Sequence, residues 1–409
     1  MMKVRYSLLL LFFFLIITSC QTSKLSKLLT NGSVEQINFN KIIPFESNRN
    51  WIIVEAKINN SSKTYKFMFD SGAVTVISPK LAKELNLEIK AKSKVGSATD
   101  VRRVTPFTKL DQVEIGGINF QDIGTAIMDF NASVDLGCLG AEIDGLIGAN
   151  LMKFAIWQID FKKKTLQFTD NESNINIGEK RFEIPFTHRG QATPKLYFSV
   201  FGKKVKASLD TGKTGSIGLK RSKSFKNVDF EHDSIAAIKG YGVTASGIFG
   251  TVTDTTYKVL IENFKLGTLE LDTTFIDFAK RSSNLVGNGF LKYFKTTINW
   301  KTNKLILEPT EKRPKSTFVS EGWGYTLNKN KLEIVFYYEN SPIQRAKIPF
   351  GSQVIQVGDQ NFENVSTGDY CKIRKLGRLY PKEIKEIPIK LKLPDGTIKT
   401  IQLTKERLL

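Results

Sequence analysis

Phe69-Asp70-Ser71-Gly72 and Leu209-Asp210-Thr211-Gly212 decide the reading of this chain. The two stretches lie 140 residues apart. Each puts one carboxylate at the end of an apolar, strand-like run, then a small hydroxyl residue, then a glycine. A single copy reads as a turn. Two copies in matching contexts indicate a duplicated unit that brings two aspartates face to face.

The match continues downstream. Asp144-Gly145-Leu146-Ile147-Gly148 follows the first motif, and Asn284-Leu285-Val286-Gly287 follows the second at nearly the same distance. Next come Ala149-Asn150-Leu151-Met152-Lys153-Phe154 and Asn288-Gly289-Phe290-Leu291-Lys292-Tyr293-Phe294. Each copy then reads as a hairpin. The first runs from Ala155–Phe161 across three lysines to Thr165–Phe168, and the second joins Thr297–Trp300 to Leu305–Leu307. Within both units the apolar runs are short, β-branched or aromatic, and broken by Gly, Asn and Asp, which predicts a mainly β fold. The best helical stretch is Pro79–Leu87, with proline at an acceptable first-turn position.

On these residues the chain resembles the aspartic peptidases of the pepsin and retropepsin type over about residues 45–309. The resemblance implies a two-lobed acid-protease architecture in one chain, each lobe a β-barrel. It implies Asp70 and Asp210 as a catalytic dyad sharing one proton, with polypeptide as substrate and neither cofactor nor metal. Ser71 and Thr211 would bond across to the opposite loop. Gly72 and Gly212 would let the loops approach, and Gly148 and Gly287 would pack behind them. Flaps are expected at Lys94–Ala98 and Lys239–Val243, with Tyr241 as a substrate contact. One position departs from the family pattern, which has a small residue after the motif glycine. Ala73 fits and Lys213 does not. An ammonium reaching Asp210 would favour its ionised form; the alternative is a lysine turned out to solvent.

Other catalytic chemistries find little support. The chain has only two histidines, His188 and His232, and neither sits in a metalloprotease motif. His188, beside Arg189-Gly190, reads as a surface residue. No Gly-x-Ser-x-Gly elbow is present.

A polar stretch from Pro309 to Pro314 marks a boundary. Beyond it stand Gly322-Trp323-Gly324-Tyr325, then Ser341-Pro342-Ile343-Gln344-Arg345-Ala346, then Gly351-Ser352-Gln353-Val354-Ile355 before Gly358. This order resembles a bacterial PDZ domain, an α+β fold. The resemblance implies that Gly322, Trp323, Gly324 and Tyr325 form a loop that cradles a peptide C-terminus. It also keeps open a rival role: a non-catalytic peptide-binding scaffold with degenerate protease lobes.

The N-terminus reads as a targeting segment. Lys3 and Arg5 precede the apolar run Leu8–Ile17, too short to span a bilayer. It ends in Ile17-Thr18-Ser19-Cys20, which resembles a bacterial lipobox and implies lipidation of Cys20 and membrane anchoring in the cell envelope. Residues 21–36 read as a flexible tether. The expected domains are therefore a signal peptide (1–19), a lipidated tether (20–40), lobe one (41–170), lobe two (171–310) and the PDZ-like domain (316–409). Lys and Arg number 60 against 40 Asp and Glu. That excess is spread without a long basic run, so with an export signal it suits an anionic envelope surface rather than nucleic acid. Both half-sites lie in one chain, so a monomer suffices. Cys138 and Cys371 fall in different expected domains, and no disulfide between them is expected.

Overall fold

A computed structural model describes residues 24–97, 101–130, 137–139, 141, 143–313 and 316–409. The chain is mainly β. In the first repeat, strand Tyr65–Asp70 pairs antiparallel with strand Trp51–Ile58. On its other side it pairs parallel with strand Gly145–Gly148, with Gly148 opposite Asp70. That glycine strand also runs antiparallel to Val76–Ile77. The second repeat reproduces each relation. Strand Lys203–Asp210 pairs antiparallel with Lys195–Val200 and parallel with Leu285–Gly287, with Gly287 opposite Asp210. The latter strand is antiparallel to Ile217–Lys220.

The glycine at the end of each threaded strand has a steric cause. A β-carbon on Gly148 would sit 2.1 Å from the Val74 carbonyl carbon, and one on Gly287 would sit 2.5 Å from the Gly215 oxygen. A short helix follows each, Ala149–Met152 and Asn288–Leu291. The first amide of each helix returns to the aspartate turn: Ala149 N–H to Ala73 O at 2.9 Å, and Asn288 N–H to Lys213 O at 2.8 Å.

The two predicted hairpins form, and they join edge to edge. Strand Ile156–Asp160 pairs with Phe294–Asn299, with Trp157 opposite Ile298. Asn40–Pro44 and Phe182–Pro185 complete a six-stranded sheet shared by both repeats. One apolar core runs through both repeats. At its centre Trp157 lies 4.7 Å from Phe168 and 5.0 Å from Phe69, ring centre to ring centre. The strand that ends in Asp70 thus packs on fully buried aromatic rings, and dense packing of this kind holds a strand in place.

Residues 316–409 have a separate core built on Leu332, Ile334, Val354, Tyr370, Ile389 and Leu403. Strand Lys331–Tyr338 of this C-terminal unit pairs with strand Ala237–Gly247 of the second repeat, Tyr337 opposite Tyr241. The unit therefore extends the second repeat's sheet.

Three expectations need correction here. The helix predicted over Pro79–Leu87 stops at Glu84, capped at its start by the Ser78 hydroxyl. The segment read as a flexible tether is helical over 24–30, with Leu25, Leu28 and Leu29 packed on a buried cluster of the first repeat. Its leucines fall on one helical face, a period masked by the surrounding Ser, Lys and Thr. Third, Cys138 and Cys371 form a disulfide, with their Cα atoms 5.3 Å apart. Assignment to separate domains argued against it; packing of the C-terminal unit against the first repeat brings them together. The signal segment and Cys20 lie outside the described residues.

Candidate active site

Each aspartate closes a tight turn. Gly72 N–H donates to Asp70 Oδ1 at 2.8 Å and Gly212 N–H to Asp210 Oδ1 at 3.0 Å. Ala73 N–H returns to Asp70 O, and Lys213 N–H to Asp210 O. The two turns then lock to one another. Ser71 N–H donates to Thr211 Oγ1 at 2.9 Å, and Thr211 N–H to Ser71 Oγ at 3.2 Å. The Ser71 hydroxyl donates to Leu209 O and the Thr211 hydroxyl to Phe69 O. Both hydroxyl residues are fully buried.

This reciprocal set explains why a hydroxyl follows each aspartate. Thr211→Val keeps the shape but leaves the Ser71 amide and the Phe69 carbonyl without partners. Each orphaned buried group costs about 1–3 kcal/mol, so the variant should lose about 3 kcal/mol of stability. A denaturant melt checks this; an unchanged midpoint would remove the cross-lock from the account.

The lock presses the carboxyls together. A β-carbon on Gly212 would lie 2.4 Å from Asp70 Oδ2, and one on Gly72 2.7 Å from Asp210 Cγ. Only glycine leaves space there for the opposite carboxyl. Both aspartates are only 9% exposed, and they hydrogen-bond to each other. Burial, then the neighbouring Asp210 charge, holds Asp70 well above the usual carboxylate range. Asp210 is also raised by burial, but the Lys213 charge and the hydrogen bond from Asp70 pull it back. Two carboxyls so placed can share one proton, and these opposed shifts favour Asp70 as its holder. Such a pair can present a base and an acid to one water at neutral or acid pH.

Sequence reasoning missed several supports. Trp51 Nε1–H donates to Gly212 O at 2.8 Å, and Asn50 Nδ2–H to Thr214 O. On the opposite side the Thr193 hydroxyl donates to Gly72 O. Asn150 Oδ1 accepts from Thr75 N–H and its amide donates to Gly124 O. Asn288 donates to Thr211 O and Asn50 O. Asn150 and Asn288 follow the two packing glycines with an offset of one residue, a signal visible in the repeat.

The flap expectations divide. Lys94–Ala98 falls at a hairpin formed by strands Ala91–Gly96 and Arg102–Ile115, closed by Ser97 N–H to Val101 O; Ala98 itself lies outside the described residues. Lys239–Val243 is the middle of a strand and not a tip. That strand pairs with Gly250–Leu266, and the tip carries Ile248 and Phe249. Arg103 of the first repeat donates to Phe249 O and stacks on its ring at 5.4 Å. Ile248 and Phe249 pack against the apolar cluster that holds Val74, close after the Asp70 turn, and on which Ala73 and Trp51 also pack. Tyr241 instead donates its hydroxyl to Glu339 Oε1 at 2.6 Å, so it serves the C-terminal unit, contrary to the expected substrate contact. Lys213 is half-buried rather than turned out to solvent.

In the C-terminal unit, Gly322 takes a φ of 70° and its amide is held by the Ser320 hydroxyl at 3.0 Å. Trp323 and Gly324 enter the strand opposite Tyr337 and Phe336, with an irregularity before Tyr325. The rings of Trp323 and Tyr325 lie 5.4 Å apart. Outside the dyad, His188 packs beside Phe186 and His232 pairs with the Ser234 hydroxyl.

No curated protein matches the chain. Residues 54–151, which hold the Asp70 turn and the Gly148 strand, match the protein-family model described as aspartyl protease.

Proposed function

We propose that this protein is an aspartic endopeptidase with two half-sites in one chain, Asp70 and Asp210 forming the dyad. One observation carries the reading: two symmetric turns, cross-locked by Ser71 and Thr211, hold two buried carboxyls in mutual hydrogen-bond contact. The family match over residues 54–151 supports it from the first repeat. The second repeat contributes the same pairing of an aspartate strand with a glycine strand.

The chemistry follows from the proton's place. Asp210, ionised, takes a proton from a water whose oxygen bonds to the scissile carbonyl carbon. Asp70 gives its proton to the carbonyl oxygen. The tetrahedral intermediate collapses when Asp210 passes its proton to the amide nitrogen and the C–N bond breaks. A hydroxyl of the intermediate returns its proton to Asp70, which restores the pair. Phe249 and Ile248 would shield the site from bulk water, strengthening these interactions.

The test is incubation of the full chain with unfolded polypeptides from acid to neutral pH, beside Asp70→Asn. Cleavage by the parent alone supports the reading. Equal product from both proteins would overturn it in favour of the peptide-binding scaffold, in which residues 316–409 act as a PDZ-like module.

The same reading places the protein in the bacterial envelope, as a monomer anchored through a lipid on Cys20. The Cys138–Cys371 disulfide supports an exported chain, because such bonds persist outside the reducing cytosol. Cys20→Ser should move the protein from the membrane to the soluble fraction of the producing cell. Retention in the membrane fraction would refute the anchor.

A further inference from the structure

Lys213 stands where the first repeat has Ala73, and the second repeat has rebuilt its turn around it. A β-carbon on Gly218 would meet Lys213 Nζ at 3.3 Å, and one on Gly215 would meet it at 3.4 Å. One on Gly287 would meet the Lys213 Cγ at 2.7 Å. Three glycines thus line a slot that the lysine fills with its stem and ammonium. Counted from the aspartate, the first repeat has Thr75 and Ser78 where the second has Gly215 and Gly218. Thr75 is there occupied by hydrogen bonds to Asn150. The slot is therefore particular to the second half-site. The lysine is folded back along its own turn, and its amide is bonded to the Asp210 carbonyl at 3.1 Å.

We propose that Lys213 is a positioning residue that polarises the pair: its ammonium, seated in the glycine slot on the Asp210 side, fixes the shared proton on Asp70 and leaves Asp210 as the charged partner. The assignment deepens the peptidase reading and rests on it for its effect on rate. Without such a charge, two aspartates in near-symmetric turns would exchange roles freely. Among the described residues, the principal charged or titratable groups bearing on Asp210 come from three elements. Asp70 faces it from the other turn, Lys213 acts from its own turn, and Lys195 acts from the neighbouring strand. Lys195 has its ammonium on the Ser208 hydroxyl at 2.6 Å and is opposed by the like charge of Lys206. Lys213 is the foremost charge pulling Asp210 toward ionisation, and it is not among the principal influences on Asp70. This asymmetry is what a charge on one side of the pair should produce.

The test uses the full chain with carboxyl-labelled aspartate, titrated by NMR. Lys213→Met keeps bulk in the slot and removes the charge. It should raise the pH at which the pair loses its first proton by about one unit, and Lys213→Arg should restore the parent curve. Superimposed curves for parent and Lys213→Met overturn the proposal. A second comparison leaves Lys213 in place, in case the Met variant fails to fold. Asp210 titrated in Asp70→Asn should ionise at lower pH than Asp70 titrated in Asp210→Asn; equal or reversed values overturn the proposal. Rate gives an independent arm. The acid limb of kcat/KM should move with the NMR curve, lowering activity about tenfold on that limb. A shifted titration with no cleavage by either protein would keep the polarising role and sink the peptidase reading. Cleavage with superimposed titrations would do the reverse.

Discussion

Asp70→Asn is expected to lower kcat/KM for an unfolded polypeptide by about 10³- to 10⁴-fold, and to raise stability at neutral pH. Both effects come from the same proton. The substituted side chain can still accept from Gly72 N–H through its oxygen and donate to Asp210 through its amide, so the bonds made by a protonated Asp70 survive. What it cannot do is give up a proton to the carbonyl oxygen and regain it. The stability gain follows from linkage. Asp70 is held well above the usual carboxylate range, by burial first and by Asp210 second. Between its unfolded and folded values the native state holds more protons than the unfolded chain. Stability therefore falls as pH rises through that window and is greatest below the unfolded value. Removing the titration removes that loss. Asp210→Asn should lose activity as severely, with a smaller gain in stability because Lys213 already offsets part of the burial. Paired cleavage assays and thermal melts at acid and neutral pH read both quantities. An inactive variant that is less stable at neutral pH would place Asp70 in a structural role and contradict the proton assignment.

The two facing aspartate turns were legible in sequence because they rest on local grammar repeated twice. An apolar strand, a carboxylate, a hydroxyl and a glycine each have a reason that operates within a few residues. The threaded strand needs glycine at Gly148 and Gly287, since a β-carbon would strike the returning turn, and each glycine lies in its own apolar run. What escaped reading was set by contacts between distant segments. The edge-to-edge joining of the two hairpins depends on Trp157 finding Ile298, which no local pattern encodes. Trp51 reads as a strand residue, and only the folded chain aims its ring nitrogen at Gly212. Tyr241 stands in a glycine-flanked stretch that looks like a hairpin tip. The tip lies further along because strand Lys331–Tyr338 holds Gly240–Gly242 in a ladder. Lys213 was visible as an exception, but its slot needed Gly215, Gly218 and Gly287 to be seen converging.

Cys371→Ser should loosen the C-terminal unit and, with it, the strand that leads to the Phe249 tip. Besides the packing of Phe318 on Phe275 and Lys258, two attachments hold the unit among the described residues. One is the disulfide to Cys138, which sits on the helical turn 137–139 of the first repeat. The adjacent Leu139 is buried in the same apolar cluster that receives Ile248 and Phe249. The other is the ladder between Gly240–Gly242 and Phe336–Tyr338 of the second repeat, reinforced by Tyr241 on Glu339. The unit thus bridges both repeats beside the dyad, covalently on one side and by hydrogen bonds on the other. The bond closes a loop across a separation of 233 residues, so its loss should lower stability by about 2–5 kcal/mol. The loss should be local before it is global. Amide exchange should accelerate in the Gly240–Gly242 ladder and in the 248–249 tip. The Asp70 strand, held between two strands and under Trp157, should stay protected. Cys138→Ser, the double variant and mild reduction of the parent should all give the same pattern, because each removes only the one bond. Uniform acceleration across the Asp70 strand would show that the disulfide supports the whole fold rather than the bridge. Unchanged exchange at the ladder would show that the hydrogen-bonded attachment is sufficient by itself. If the tip shields the dyad, the loosened variant should bind a polypeptide more weakly, raising KM while kcat falls less, since the cross-locked turns that hold the two carboxyls do not depend on the C-terminal unit.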